Sequence, residues 1–278
     1  MKNGLYIVAT PIGNLGDISP RAIAVLQEAD VIACEDSRVT KKLFSLLGIS
    51  LHKTFITLHD HNEDEQAQKI IDLINEGKAV AQVSDAGSPL ISDPGYKLIK
   101  RCRAAGVYIT TLPGCCALIS ALQLSGLPTN RFMFVGFIPN KDKARQDLFK
   151  KYQNLDSTLI FYETAPRIIK TLTAAKEIFG HREMAVAREI SKVYEECLSG
   201  SAEELIAHFN TAEPKGEMVF MVAPAEENAA PEIDLEVLLR EKLAESSLKT
   251  AVKEIVETYG LNKNDVYEQA LRIKNEQE

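Results

Sequence analysis

An α/β protein of two lobes with a cleft between them, followed by a small helical unit, is what this chain of 278 residues predicts. Three observations carry that expectation. Over the first 125 residues, short apolar or β-branched runs alternate with amphipathic stretches, the pattern of a parallel-rich sheet covered by helices. A turn-rich break, LSGLPTNR (124–131), precedes a second and less regular alternation that predicts a mixed sheet. An Ala-, Glu- and Pro-rich segment without periodicity then leads into three helical patterns. The expected organisation is an N-terminal α/β domain (1–125), a C-terminal α/β domain (126–223), a linker (224–234) and a helix-turn-helix-like tail (235–278).

The strands expected in the first domain are Leu5–Thr10, Val31–Cys34, Thr54–Thr57, Ala79–Val83 and Val107–Thr111. Helices are expected between them at Pro20–Glu28, Val39–Leu47, Glu63–Glu76 and Gly95–Ala105, where Ile70, Ile71, Ile74 and Leu98, Ile99, Cys102 keep helical spacing. The second domain reads as strand Phe132–Phe137, helix Lys141–Tyr152, strand Thr158–Phe161, helix Pro166–Ile178, strand Ala185–Arg188, helix Ala202–Phe209 and strand Met218–Val222. In the tail, Gly260 follows Val256 by four residues and precedes Val266 by six, which is helix-turn-helix spacing with Leu261 apolar after the turn. The second helix of that unit sets Asp265 and Glu268 against Lys263, Arg272 and Lys274, far too acidic for a DNA reader.

Composition excludes several classes. No apolar run reaches the roughly 18 residues of a membrane helix. The opening MKNGLYIVATPIGN holds one Lys and a short apolar run, read as a strand rather than a signal peptide. Five cysteines (Cys34, Cys102, Cys115, Cys116, Cys197) form no CxxC pair and read as thiols of a reducing cytoplasm. His59 and His61 are the tightest histidine pair and read as a solvated turn, so no metal is implied. Net charge is −7, but residues 1–223 hold 25 basic and 26 acidic side chains while 224–278 hold 7 and 13. Any basic face for nucleic acid must therefore be a local patch. KDKARQDLFKK (141–151) and the group Lys97, Lys100, Arg101, Arg103 are two such patches, read first as solvated helix faces with phosphate contact as the alternative.

The chemistry concentrates at strand ends. VSDAGSPLISDPG (83–95) interleaves Gly87, Pro89, Pro94 and Gly95 with two carboxylates, suiting a loop that holds a polar small molecule by its main chain. TPIGNLGD (10–17) follows the first strand without a GxGxxG, and Asp17 and Ser19 are expected to cap the next helix. ACEDSRVTKKLF (33–44) places Glu35, Asp36 and Arg38 at a helix start, where the dipole alone favours acids, yet also at the same sheet edge. TLPGCCALISAL (111–122) is a further strand-to-helix turn. In the second domain Glu163, Arg167, Arg188 and Glu189 follow strand ends and could form inter-domain ion pairs or bind phosphate. Ligands of such sheets sit at the carboxyl ends of strands.

Taken in order and spacing, VATPIGNLGDIS, ACEDSRVTKKL, VSDAGSPLISDPG, TLPGCCA, FYETAPR, REISKVYEE and GEMVF resemble the tetrapyrrole-methylase superfamily, and within it the branch of small-subunit ribosomal RNA methyltransferases. The resemblance covers roughly residues 4–223, and the helical tail is also typical of that branch. It implies a class III methyltransferase with S-adenosylmethionine folded in a cleft and held largely by main-chain groups. It implies 2′-O-methylation of a P-site cytidine in 16S rRNA, the small ribosomal subunit as partner, and a homodimer. By motif, the cofactor contacts fall on Pro11, Ala86, Gly87, Ser88, Ile91, Cys116 and Ala117, and near Tyr162, Ala187 and Gly216. The tetrapyrrole-modifying branch has a GGDP-like sequence where this chain has Asp85-Ala86-Gly87-Ser88-Pro89, which weighs against a porphyrin substrate.

A neutral, backbone-lined cleft would suit a sulfonium donor. Asp36, Asp85 and Asp93 are candidates for a general base, and Arg38, Arg167 and Arg188 for holding RNA phosphate. The alternatives are a small-molecule methylase acting on a tetrapyrrole and a ligand-sensing DNA-binding regulator. Gly87→Val is expected to abolish cofactor binding with the fold intact.

Overall fold

The computed structural model of the protein describes residues 1–59, 61–212, 214–225, 235–259 and 263–277. The chain divides into two compact units, Met1–Pro224 and Ala225–Glu278.

The first half of the larger unit runs β1 (Gly4–Val8), α1 (Pro20–Glu28), β2 (Val31–Cys34), α2 (Ser37–Leu46), β3 (Thr54–Thr57), α3 (Glu63–Asn75), β4 (Ala79–Val83), α4 (Tyr96–Ala104), β5 (Ile109–Leu112) and α5 (Ala117–Leu124). Its five strands are all parallel in the order β3-β2-β4-β1-β5. Strand alternation divides the core into two layers. Tyr6, Val8, Ile32 and Ala81 face Ala22 and Leu26 of α1 and Phe44 of α2. Leu5, Val31, Ala33 and Val80 face Ile70, Ile71 and Ile74 of α3 and Leu98 and Cys102 of α4. The β4 run is buried at every residue, as a central parallel strand with helices on both faces requires.

Two boundaries differ from the sequence reading for local reasons. β1 ends at Val8 because Thr10 leaves the ladder to pair with Gly87, its N–H donating to the Gly87 carbonyl at 2.9 Å and its carbonyl accepting from the Gly87 N–H at 3.1 Å. β5 starts at Ile109 because Val107 still donates back to the Cys102 carbonyl, closing α4. Ser19 caps α1 by accepting from the Ala22 N–H at 3.1 Å, with Pro20 in its first turn. Asp17, expected to share that cap, instead accepts from the Ser191 hydroxyl.

The second half builds β6 (Phe132–Phe137), α6 (Asp142–Tyr152), β7 (Thr158–Thr164), α7 (Ile168–Phe179), β8 (Met184–Arg188), β9 (Glu196–Gly200), α8 (Ala202–Thr211) and β10 (Glu217–Val222). The sheet order is β6-β7-β10-β8-β9, with β6–β7 parallel and the other pairs antiparallel, so it is mixed. One face packs Leu159, Phe161 and Phe220 against Phe149 of α6, Leu172 and Phe179 of α7 and Leu205 of α8. The other face packs Ile160, Ala185, Ala187, Val219 and Met221 against Leu118, Ala121 and Leu122 of α5. α5 therefore leaves the first sheet and seats itself on the second.

Strand β9 has no counterpart in the sequence reading. ECLSG is a half-exposed edge segment without a β-branched run, and its charged approach hides it. The basic patch at 141–151 is thinner than its sequence, because Arg145 is 97% buried and pairs with Asp142. The smaller unit holds α9 (Leu235–Glu245), α10 (Leu248–Tyr259) and α11 (Lys263–Gln277), with Leu239, Val252, Ile255, Val266, Ala270 and Ile273 as its core. Residues 226–234 of the expected linker, and Gly260 and Leu261 of the expected turn, lie outside the described residues. Among the described residues no helix is long and apolar enough to cross a membrane.

Candidate functional site

Three strand-end loops of the first sheet converge at its carboxyl edge, and hydrogen bonds lock them together. The Thr10–Gly87 pair joins the loop after β1 to the loop after β4. The Ser88 hydroxyl donates to the Cys115 carbonyl at 2.9 Å, joining the loop after β4 to that after β5. Ser84 donates to the Gly87 carbonyl at 3.3 Å from within the first of them. Among the described residues four non-glycine residues hold positive φ, Leu90 and Ser92 in the β4 loop and Glu189 and Ser191 after β8. Such backbone persists only where its surroundings over-determine it, and it clusters at binding sites.

The loops enclose a cavity of about 320 Å³ that the second sheet closes from the other side. From the first lobe it is walled by Ile12, Glu35, residues 85–88, residues 91–93, Cys116 and Ala117. Phe137, residues 162–164, Glu189, Ile190, Lys192 and residues 217–219 complete it from the second. Of the residues that the motifs assign to the cofactor, Ala86, Gly87, Ser88, Ile91, Cys116, Ala117 and Tyr162 meet here. Pro11, Ala187 and Gly216 are not in the wall. Pro11 precedes Ile12, Ala187 is fully buried beneath α5, and Gly216 is the exposed turn before β10.

Of the candidate bases, Asp85 and Asp93 line the cavity and Asp36 does not. Asp36 caps α2 by accepting from the Arg38 N–H at 2.8 Å, and the Arg38 guanidinium holds its carboxyl down to about 2. Asp85 accepts from the Asp36 N–H at 3.1 Å. Burial raises the Asp93 carboxyl above its ordinary value, the nearby Asp85 charge adds to this, and a hydrogen bond from Ser84 opposes it. Burial likewise pushes the Tyr162 hydroxyl up to about 12.

The three arginines proposed from sequence are all paired, and the pairs are not inter-domain. Arg38 binds Asp36 within the first lobe. Arg167 binds buried Glu163 at 3.1 Å and donates to the Ile138 carbonyl, while Arg188 binds Glu196 at 2.6 Å, both within the second lobe. None of the three lines the cavity.

The wall is not neutral, contrary to the sequence expectation. Glu35, Asp85, Asp93, Glu163, Glu189 and Glu217 line it, against Lys192 as the one basic side chain in the described wall. Lys192 pairs with Glu189 at 3.0 Å and Glu217 at 3.4 Å, and Arg167 matches Glu163. On the first-lobe side the described wall holds Glu35, Asp85 and Asp93 and no basic side chain. Glu35, read either as a helix-start acid or as a residue of this sheet edge, lines the wall, as do Glu163 and Glu189, read as ion-pair or phosphate-binding candidates, whereas Lys192 and Phe137 were not singled out from the sequence. Their strand-end positions were the available signal, but ion pairing and core packing explained the same residues. Gly87 has φ +81, and a Cβ there would meet Ile12 Cγ2 at 3.3 Å and the Cys115 carbonyl at 3.7 Å. A side chain at this position strains the loop itself, so the expectation that Gly87→Val spares the fold is corrected.

Among the described residues no cluster could hold a metal ion. The wall does fit S-adenosylmethionine by its donor set. Carboxylates face a cation, apolar Ile12, Ile91, Phe137 and Val219 suit an adenosine, and the first turn of α5 at Cys116 and Ala117 has no side-chain cap.

Residues 4–206 match the family described as Tetrapyrrole (Corrin/Porphyrin) Methylases. The chain belongs to the tetrapyrrole methylase family. Residues 229–274 match the RsmI C-terminal HTH domain. This methylase is 50% identical over 274 residues to "Ribosomal RNA small subunit methyltransferase I" of Erythrobacter litoralis, covering 99% of this chain and 96% of the relative. It is 44% identical over 272 residues to the protein of the same name from Vibrio cholerae, covering 96% and 94%. Diphthine synthase shares its fold at a TM-score of 0.61 and 16% identity, covering 79% of this chain and 89% of that one. Uroporphyrin-III C-methyltransferase from Thermus thermophilus, solved with S-adenosyl homocysteine, does so at 0.53 and 16%, covering 79% and 97%.

Proposed function

We propose that this chain is an S-adenosylmethionine-dependent methyltransferase of small-subunit ribosomal RNA that methylates the ribose 2′-hydroxyl of a P-site cytidine in 16S rRNA. The observation that carries the reading is the acidic cavity where the three strand-end loops meet the second sheet. Relatives along the whole chain bear the name of a small-subunit ribosomal RNA methyltransferase, which supports the acceptor class. The ribosomal acceptor implies a cytoplasmic protein, and the resemblance to the family implies a homodimer.

When bound, the donor supplies an electrophilic methyl group on a cationic sulfur. Glu35, Asp85 and Asp93 favour that cation electrostatically, and the apolar wall residues exclude water around it. Ala86, Gly87 and Ser88 present main chain that the Thr10 and Cys115 bonds hold in place. Rate comes mainly from aligning acceptor and donor. Asp93 is the base we favour, because it is in the wall and its raised affinity for a proton suits taking one from a ribose hydroxyl.

Labelled donor offered with undermethylated 30S subunits, free 16S rRNA and uroporphyrinogen tests the reading. Label is expected on a cytidine ribose of the ribosomal RNA. Label in the porphyrin alone would overturn it. The regulator alternative has little support, since α11 exposes Asp265 and Glu268 where a DNA reader would be basic.

A further inference from the structure

Helix α4 begins three residues after Asp93 of the cavity wall, and its exposed side chains sort into two stripes. Leu98 and Cys102 are fully buried against α3 and the first sheet. Lys97 and Arg101 form one flank, and both bind Asp64 of α3, at 2.8 and 3.0 Å. Tyr96, Lys100 and Arg103 stand at i, i+4 and i+7 and so share the remaining face. All three are exposed, Tyr96 at 68%, and neither Lys100 nor Arg103 has an acidic partner among the described residues. The charge of this stripe is thus unneutralised, although residues 1–223 are nearly neutral as a whole.

The stripe is rigidly placed relative to the cavity. Buried Glu63 of α3 accepts the Leu98 N–H at 2.9 Å, fixing the first turn of α4. Buried Gln82 of β4 donates to the Pro94 carbonyl at 3.1 Å, fixing the loop that enters it. Between Tyr96 and Arg103 the helix rises about 10 Å.

We infer that Tyr96, Lys100 and Arg103 form a track for single-stranded RNA flanking the methylated nucleotide. Tyr96, three residues beyond Asp93 of the wall, stacks a base, and Lys100 and Arg103 take successive backbone phosphates. The occupant follows from two properties together: an exposed aromatic face beside unpaired cations is the single-strand binding combination, and the loop it continues lines the acceptor's cavity. The inference rests on the acceptor class proposed above.

Binding of a fluorescein-labelled oligocytidylate and of 16S rRNA by the full chain, read by anisotropy across a salt series, tests it. Lys100→Ala/Arg103→Ala is expected to weaken binding and to lower the slope of log K against log salt by about 1.4, two phosphate contacts on a single strand. Tyr96→Ala should weaken binding about ten-fold with the slope unchanged. In small-subunit methylation, both variants should raise KM with kcat retained, and calorimetry should give wild-type donor affinity. Wild-type affinity and slope in the double variant would overturn the track, as would an equal loss from Lys143→Ala/Lys151→Ala on α6. Methyl transfer by the unmodified protein is scored separately. If it fails while stripe-dependent RNA binding stands, the fault lies with the acceptor assignment and not with the track.

Discussion

Asp93 and Asp36 show how one residue type is driven in opposite directions by its surroundings. Asp93 is desolvated, so the native state holds its proton more tightly than the unfolded chain does. Its ionisation therefore subtracts stability as pH rises from the ordinary value of 3.8 through the raised one, and below 3.8 the penalty is absent. For the proposed role as base the sign is reversed, because only the ionised carboxylate accepts a proton. The acid limb of kcat is expected above the ordinary aspartate value of 3.8, and Asp93→Asn should remove it. That variant should also lower kcat by about 10²–10⁴-fold with the melting temperature at neutral pH undiminished, and should weaken the cationic donor modestly because one wall carboxylate is neutralised. Retention of wild-type kcat and of the acid limb would dismiss Asp93 as the base. Asp36 runs the other way, its carboxyl lowered to about 2, so its contribution is present above 3.8 and is lost as pH falls toward 2. At Gly87, the left-handed φ of +81 leads us to expect that Gly87→Val costs about 1–3 kcal/mol of stability besides any loss of binding. A denaturant midpoint equal to wild type would contradict this.

Elements are held in register by buried polar bonds that cross between them. Glu63 lies on α3 but serves the first turn of α4, accepting from Leu98 in the interior. Truncating it to Ala leaves that N–H without a partner, at about 1–3 kcal/mol. For a unit of this size we expect a melting temperature lower by about 2–4 °C per kcal/mol, read by calorimetry. Phe149 of α6 lies fully buried against Phe161, Phe179 and Phe220. Its replacement by Ala should cost about 3–5 kcal/mol, with chemical denaturation as the measure.

Two scales of assembly meet in the whole molecule. The larger unit and the helical unit each have their own apolar core, so calorimetry should resolve more than one transition. A single two-state peak would show that the helical unit does not melt independently. The acidic wall also sets a preference at the level of the whole site. A cationic donor should bind more tightly than its neutral thioether product at low salt, and the ratio should shrink as salt screens the carboxylates. Titration calorimetry of both ligands at two ionic strengths measures it.

Both lobes, nearly every helix and strand, and the loops that line the cavity were determined by sequence alone. Hydrophobic period and Gly/Pro punctuation are local signals, so a run such as Ala79–Val83 or a break such as SDAGSP is legible without a fold. The edge strand β9 was not, because its partners lie in β8 and its own residues lack a strand pattern. Tertiary structure alone decided that α5 would cover the second sheet, that Asp85 and Asp93 would reach the cavity while Asp36 would cap a helix, and that its wall would be acidic. Those outcomes depend on which charges come together from distant strands, and charge balance in a cleft is a property of proximity that no linear spacing encodes.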